Sequence, residues 1–118
     1  FKLAYLTDTV GLPRSTWTFL QHWLPDLMIL DCSFPPLDTP PKNHNDLKLA
    51  LAIHDNIRPE RTILTHIGHE LDTWLREYRE CLPDDMSIAS DKDKIELERI
   101  EGELVIQING QVKFQSIL

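Results

Sequence analysis

One short, unbroken apolar run and a second short segment that reads as a buried strand constrain the fold of this chain more than any other feature of its sequence. Leu27-Met28-Ile29-Leu30 lies between Asp26 and Asp31, and residues 61–65 read RTILT. Runs of this length without polar alternation are typical of strands that are buried on both faces, as in a parallel sheet. Because parallel strands are joined by crossover helices, we expect strands and helices to alternate along the chain.

The segments between the predicted strands have apolar residues at helical spacing. A first strand is predicted over residues 1–6, followed by a helix over about 16–23 that Ser15 or Thr16 can cap. Four prolines within residues 32–42 predict an ordered loop. A second helix then opens at 43–46 and runs to about Asn56, and a third runs from Glu70 to about Cys81.

The last part of the chain has the pattern of antiparallel strands. Residues 86–89 and 94–97 read as short strands around an Asp/Lys turn, while 103–108 and 111–117 flank Asn109-Gly110. Asn-Gly between two strands is a strong signal for a type I′ hairpin, because both turn residues need positive φ. The predicted fold class is therefore α/β, with strand–helix alternation through right-handed crossovers followed by antiparallel strands.

Composition and charge exclude several classes of protein. The chain has 118 residues, of which 42% are hydrophobic, as expected of one globular unit with a core. Twelve basic against 19 acidic residues give a net charge of -7, which argues against nucleic-acid binding. No apolar run is long enough to span a membrane and no signal peptide is recognisable, so a cytoplasmic location is predicted. Cys32 and Cys81 are isolated in the sequence and are predicted to be free thiols.

Four polar residues follow predicted strands and are the candidates for a site. Asp8, Asp31, His44 and His66 lie at strand ends or in the loops after them, and these ends face one crevice in an open α/β sheet. Each residue alone has an ordinary structural explanation: a carboxylate accepting backbone amides, a helix cap, or an imidazole bonded to a carbonyl. Their convergence favours a site, and carboxylate oxygen with imidazole nitrogen suits Zn, Mn or Fe.

The motifs around these residues resemble the second half of the metallo-β-lactamase superfamily. The matching segments are YLTDT at 5–9, LDCS at 30–33 before a Pro-Pro loop, NHNDL at 43–47 and ILTHIGH at 63–69. Within the superfamily they are most similar to the PhnP family, the cyclic-phosphate phosphodiesterases of the carbon-phosphorus lyase pathway. The resemblance covers about residues 1–97, which we assign to the C-terminal half of such a domain, and leaves 98–118 as a terminal β-hairpin of unknown role.

The resemblance implies a site with two divalent metals, Mn or Zn. Asp8 would bridge both metals and His66 would be a terminal ligand on one of them. His44 would contact the scissile phosphate and help to protonate the leaving oxygen. His69 would belong to a separate structural zinc whose three cysteines lie outside this chain. Asp31 would lie behind the ligands without touching the metals.

The implied activity is that of a metal-dependent phosphoric diester hydrolase. Its substrate would be 5-phosphoribosyl 1,2-cyclic phosphate and its product ribose 1,5-bisphosphate, in phosphonate catabolism. The family's other ligands come from an H-x-H-x-D-H motif and a further histidine, which this sequence lacks. The chain is therefore expected to be a fragment that is inactive alone and binds metal weakly. It would be half of an αββα sandwich, completed by the missing N-terminal half or by a second copy in a homodimer, with no contact to nucleic acid or membrane.

Two other functions fit the same residues. A non-catalytic α/β interaction module would use Asp8, His44 and His66 only as hydrogen-bonding groups, with no metal site. A phosphoaspartate receiver or phosphatase would use Asp8, but it would need further acids beside that strand end and a lysine after a later strand. Convergence of the three side chains on one concave space would favour the enzyme over the module.

Overall fold

The chain divides into two compact units. The computed structural model describes the backbone of residues 1–90 and 92–115, with side chains through residue 110. One unit comprises Lys2–Ala89, and the other comprises Phe1 together with the chain from Ser90 onward. The single unit that the composition indicated is therefore too coarse a description, because the segment after Ser90 builds a sheet of its own.

The first unit alternates strands and helices, as predicted. Its elements are β1 (Leu3–Leu6), α1 (Arg14–Trp23), β2 (Leu27–Asp31), α2 (Leu47–Ile57), β3 (Arg61–Thr65), α3 (His69–Tyr78), a 3₁₀ turn (Arg79–Cys81) and β4 (Met86–Ile88). The four strands form one parallel sheet in the order β1-β2-β3-β4. The α/β fold class is confirmed.

All three helices pack on one face of this sheet. Each connection moves one strand further in the same direction, and right-handed crossovers of this kind place every helix on the same side. The composition of the core agrees with this, since alternate residues of the strands pack in one apolar cluster with residues of all three helices. Its strand and loop members are Ala4, Met28, Leu30, Cys32, Leu64 and Met86, and its helix members are Leu20, Leu47, Ala50, Ile53, Ile57, Leu71 and Leu75.

The opposite face of the sheet is also apolar. Leu27, Ile29 and Ile63 are buried there, and every residue of β2 is buried, as its unbroken apolar run predicted. On the edge strand β1, Leu3 and Tyr5 alternate with buried Ala4 and are 42% and 63% exposed. The edge strand thus presents two large apolar side chains to solvent.

The helix boundaries differ from the sequence prediction by a few residues. Helix α1 begins at Arg14, directly after Pro13, so Ser15 and Thr16 lie inside the first turn and do not cap it. Helix α3 begins at His69 and ends at Tyr78, before the 3₁₀ turn. The first residues of α1 and α3 depend on the backbone conformation at Pro13 and Gly68, and the spacing of apolar residues does not predict that conformation.

Asp46 caps helix α2 and also holds the proline-rich loop. One oxygen of its carboxylate accepts from the Leu49 N–H at 2.9 Å, and the other accepts from the Leu37 N–H at 3.0 Å. The N–H of Leu47 donates to the Phe34 carbonyl, so the first part of the loop is tied to the start of the helix at two points. The loop is therefore ordered, as predicted.

The second unit is a three-stranded antiparallel sheet of β5 (Ile95–Ile100), β6 (Glu103–Ile108) and β7 (Gln111–Gln115). Asn109 and Gly110 have φ values of 54° and 82°, which confirms the hairpin turn between β6 and β7. Ser116 and Ile117, the predicted end of this hairpin, lie outside the described residues.

Strand β4 differs from the prediction. It does not form a turn-linked pair with residues 94–97. It pairs in parallel with β3, and β5 pairs with β6. Joining the parallel sheet buries Met86 in the core, which an isolated short hairpin would leave exposed. The helices of the described residues lack the length and apolar character that crossing a bilayer requires.

Candidate functional site

The candidate residues meet at the carboxyl-terminal edge of the parallel sheet. The register aligns Leu6 with Leu30 and Asp31 with Thr65, so β1, β2 and β3 end side by side. Asp8 and His66 follow β1 and β3, while His44 precedes α2. This edge is where open α/β sheets bind ligands.

Asp31 lies at the centre of the arrangement. Its side chain is fully buried, and Oδ2 accepts a hydrogen bond from the Asp8 N–H at 2.9 Å. The same oxygen lies 2.6 Å from His44 Nδ1. Because an ionised carboxylate only accepts, His44 Nδ1 carries the proton and donates it. One buried carboxylate therefore holds both the backbone of Asp8 and the ring of His44.

His44 keeps its other ring nitrogen available. Its side chain is 31% exposed, and the bond to Asp31 engages only Nδ1. A carboxylate on Nδ1 fixes the tautomer and the orientation of the ring, which leaves Nε2 to act on a ligand. The ring also stacks on that of His66, with centroids 6.3 Å apart and planes 22° from parallel.

Asp8 completes a group that can hold a cation. One ligand atom from each of Asp8, Asp31 and His44 lies within 4.8 Å of the others, and this is the group of that kind found among the described residues. Asp8 is exposed and has a φ of 53°, so its carboxylate stands on a left-handed turn just beyond β1.

His66 and His69 lie outside that group. His66 is exposed, has a φ of 61°, and its Nδ1 is 3.0 Å from the hydroxyl of Thr65. Its ring stacking on His44 still places it at the same edge of the sheet. His69 is the exposed first residue of α3.

Three residues that the sequence analysis did not single out support this edge. The Ser33 hydroxyl donates to the His66 carbonyl at 2.7 Å, and the Gly68 N–H donates to the Ser33 carbonyl at 3.1 Å. A Cβ at Gly68 would lie 2.5 Å from that carbonyl oxygen, so only glycine allows the two loops to approach this closely. The third residue is Asn45, which is fully buried. Asn45 lies between His44 and Asp46 in a polar segment before α2, and no local pattern marks it as buried.

Cys32, next to Asp31, is not a nucleophile or ligand at neutral pH. Burial, together with the smaller effect of the nearby Asp46 and Asp31 carboxylates, raises the pKa of its thiol to about 12. A thiolate is the form that attacks or binds metal, so the thiol acts as a small apolar side chain. Both cysteines are free, as predicted.

A second polar cluster lies at the amino-terminal end of β3. Its central residue is His54, a histidine of α2 that is only 4% exposed. Its Nδ1 is 2.6 Å from the Thr62 hydroxyl and its Nε2 is 2.8 Å from Asp85 Oδ1. This cluster ties α2 to β3 and to the segment before β4.

Comparison with known proteins supports a related fold. No protein-family model matches the sequence, and no curated protein matches it. A solved structure described as a new diphosphatase from the PhnP family is similar to this chain, with a TM-score of 0.60 and 27% sequence identity. The alignment covers 76% of this chain and 33% of that chain, so this chain spans about a third of that protein's length. The likeness indicates a fold related to that of a hydrolase.

The donor atoms at the site fit a divalent metal in part. Carboxylate oxygen and imidazole nitrogen suit Mn²⁺ and Zn²⁺. Asp31 already accepts from Asp8 and His44 through Oδ2, so the freer donors are the Asp8 carboxylate, His44 Nε2 and the ring of His66, which lies outside the group of three. A zinc site uses three or four protein ligands, so these residues fit as part of a ligand set and not as a whole one.

Proposed function

We propose that this chain forms the C-terminal half of a cytoplasmic, metal-dependent phosphoric diester hydrolase. Its substrate would be 5-phosphoribosyl 1,2-cyclic phosphate, and its product ribose 1,5-bisphosphate, in phosphonate catabolism. The observation that carries the proposal is the buried Asp31 carboxylate, which joins Asp8 and His44 at the edge of the sheet. The similarity to a PhnP-family diphosphatase and the sequence motifs support the same assignment.

The Asp31–His44 pair supplies the acid in this proposal. Opening a cyclic phosphodiester leaves an alkoxide on the sugar, which needs a proton as the phosphorus–oxygen bond breaks. His44 bonded to Asp31 through Nδ1 can carry a proton on Nε2 and donate it to that oxygen. Asp31 would hold the ring in orientation and stabilise its protonated form.

Asp8 and His66 would hold the metals, Mn or Zn. A two-metal centre activates a water and offsets the charge that develops on the phosphoryl oxygens. The Asp8 carboxylate has two oxygens and can serve two cations, whereas the His66 ring offers one nitrogen to one of them. The remaining ligands would come from a second polypeptide segment, and His69 would join a structural zinc with cysteines of that segment.

Diphosphate hydrolysis is a second candidate reaction. The similar solved structure is described as a diphosphatase, and that description favours a phosphoanhydride as the bond broken. A phosphate leaving group needs less protonation than a sugar alkoxide, so His44 would matter less for this reaction. The two reactions therefore predict different consequences of losing His44.

The direct test is hydrolysis by the native protein, with whatever segment accompanies this chain in the cell. It should cleave the cyclic ribose phosphate in the presence of Mn²⁺ or Zn²⁺, and a nucleoside diphosphate is the competing substrate. Asp8→Asn should lose both metal and activity. Asp72→Asn is the matched control, because Asp72 is exposed on α3 and its carboxylate pairs with Arg76 one turn along the same helix.

The results also separate the enzyme from the interaction module. If the native protein hydrolyses neither substrate, or if Asp8→Asn behaves as Asp72→Asn does in metal content and rate, the module without a metal site is the better description. Faster cleavage of the diphosphate than of the cyclic phosphate would instead select the diphosphatase.

A further inference from the structure

Asn45 connects the loops that bear the candidate site residues. It is fully buried, and its side-chain Oδ1 accepts from the Gly11 N–H at 2.7 Å. Its Nδ2 donates to the backbone carbonyl of Asp31 at 2.9 Å. Its own carbonyl accepts from the Ser33 N–H at 3.0 Å. One side chain therefore joins the loop after β1 to the end of β2, next to His44 in sequence.

Only asparagine fits this position without loss. The site needs one acceptor and one donor on the same short planar group, and both atoms are removed from water. Aspartate would set an oxygen against the Asp31 carbonyl, and leucine would leave the Gly11 N–H and that carbonyl with one partner fewer. A buried donor or acceptor left unpaired costs stability, so each replacement is penalised.

The loop that Asn45 holds has an unfavourable backbone. Asp8 and Gly11 both have positive φ, 53° and 60°, and such turns persist only where the surrounding structure holds them. The contacts that tie this loop to the β2 end are the Asp8 N–H on Asp31 Oδ2 and the Gly11 N–H on Asn45 Oδ1. The first contact orients Asp8 directly, and the second fixes where the loop lies.

We propose that Asn45 is a positioning residue that sets the distance between the Asp8 carboxylate and the His44 ring. This inference rests on the proposed function, because the distance between Asp8 and His44 matters only if the two residues act at one metal-dependent site. Donors to a cation must be preorganised to within a fraction of an ångström. Loss of the Asn45 side chain frees the loop and lets Asp8 move away from Asp31 and His44, although Asn45 itself touches neither substrate nor metal.

Backbone amide exchange followed by NMR tests the proposal on the 118-residue chain. Asn45→Ala should speed exchange of the Asp8 amide at least tenfold relative to amides in the middle of β2 and β3. Thr62→Val is the matched control, since it also removes a buried hydrogen bond, to His54 at the other end of the sheet. It should leave the Asp8 amide unchanged relative to those strand amides. Equal changes at Asp8 in the two variants would overturn the proposal.

Asn45→Asp keeps the test decisive if the alanine variant fails to fold. It has nearly the same shape and retains the acceptor for Gly11, but it replaces the donor to Asp31 by an oxygen. The Asp8 amide should exchange faster in this variant while the Gly11 amide keeps most of its protection. An Asp8 amide as protected as in the natural chain would contradict the positioning role.

A second measurement links the position to metal binding. Mn²⁺ added to the chain should broaden the NMR signals of Asp8 and His44, and Asn45→Ala should need at least ten times more Mn²⁺ for the same broadening. Thr62→Val should need no more than the natural chain. Equal Mn²⁺ requirements in the two variants would count against the proposal. Absence of broadening in the natural chain would count against the metal role of Asp8, while amide exchange would still decide the role of Asn45.

Discussion

At the residue scale, His44 and His66 are close together but differently held. Asp31 fixes His44 through Nδ1, whereas His66 stands on a left-handed turn beside the hydroxyl of Thr65. A ring held by a buried carboxylate suits proton transfer, and a more exposed ring suits a metal. In the proposed enzyme, His44 would donate the proton and His66 would bind a metal beside it.

Substitution of the two histidines in the native protein should separate these proposed roles. His66→Ala should lose metal and activity together, because a ligand is removed. His44→Ala should keep its metals and lose about 10²- to 10⁴-fold in kcat, because only leaving-group protonation is lost. Elemental analysis and kcat on the cyclic phosphate measure both effects.

The leaving group provides the control for this assignment. An aryl phosphodiester with p-nitrophenolate as leaving group needs little protonation, so the loss in His44→Ala should shrink on that substrate. If His44→Ala strips metal as fully as His66→Ala, or slows both substrates equally, His44 is a ligand or a phosphate contact and not the acid.

Gly68 sets the approach of the β3–α3 loop to Ser33. Because a Cβ there would lie 2.5 Å from a backbone oxygen, Gly68→Ala must push the loops apart. We expect a loss of about 1–3 kcal/mol in the free energy of unfolding, measured by urea denaturation. Gly110→Asn, at an open turn position with no neighbour within 4 Å, is the control and should cost less. A Gly68→Ala variant as stable as the natural chain would show that the loops can separate freely.

The two thiols should react very differently. At pH 8 a thiol reagent should label exposed Cys81 quickly and leave Cys32 unlabelled until the chain unfolds, because burial raises the pKa of Cys32 to about 12. The raised pKa also predicts how the free energy of unfolding changes with pH. The folded state binds the proton more tightly than the unfolded state, whose ordinary value is 9.0, so this contribution is present below pH 9 and is lost as the pH rises toward 12. Rapid labelling of both thiols in the folded chain would contradict this.

At the scale of elements, the His54 cluster fastens helix α2 to the sheet. Both ring nitrogens are bonded, to Thr62 on β3 and to Asp85 before β4. The adjacent Arg61 strengthens the same corner, since its guanidinium donates to the Asp84 carbonyl at 2.6 Å and to the Ser87 hydroxyl. Burial lowers the pKa of Arg61, with the Asp85 and Asp84 charges acting against that shift.

His54→Ala should destabilise the first unit by about 3 kcal/mol, because it leaves a cavity and removes the partner of a buried hydroxyl. Asn56→Ala is the control on the same helix, since its side chain is exposed and bonds only to the Ala52 carbonyl. It should change stability by less than about 0.5 kcal/mol. Equal midpoints of thermal unfolding for the two variants would show that the cluster does not hold α2.

At the scale of the whole molecule, the parallel sheet has helices on one face. On its other face, the edge strand β1 exposes large apolar side chains. Leu3 and Tyr5 extend from β1 on that second face, which also carries the apolar side chains of β2 and β3. Exposed apolar area costs roughly 25 cal/mol per Å² relative to burial. We propose that another polypeptide, the N-terminal half or a second copy, covers this edge.

Light scattering on the purified chain should therefore show a dimer or a larger species. Leu3→Lys together with Tyr5→Lys should shift it toward the monomer, whereas Phe19→Lys, on α1, should not. Phe19 is the matched control because it is similarly exposed. If the natural chain is a monomer and binds no dye that detects exposed apolar surface, the proposal that another polypeptide covers this edge is wrong.

Local patterns determined most of the elements from the sequence. Strands β2 and β3 have the predicted bounds to within a residue, and Asn109-Gly110 forms the predicted turn. The signals are local: burial on both faces favours the unbroken apolar run of β2, and positive φ favours Asn and Gly at the turn. Strand order also placed Asp8, Asp31 and His66 at one edge in advance, since parallel strands all end on the same side.

The tertiary structure alone decided how those residues are connected. Asp31 and His44 are 13 residues apart, and Gly11 and Asn45 are 34 apart, so no local pattern records that they bond. The placement of β4 and the burial of His54 likewise depend on which surfaces pack together. Secondary structure follows from short-range sterics and periodicity, but a hydrogen-bond partner across the fold exists only once the loops have been brought within 3 Å by packing.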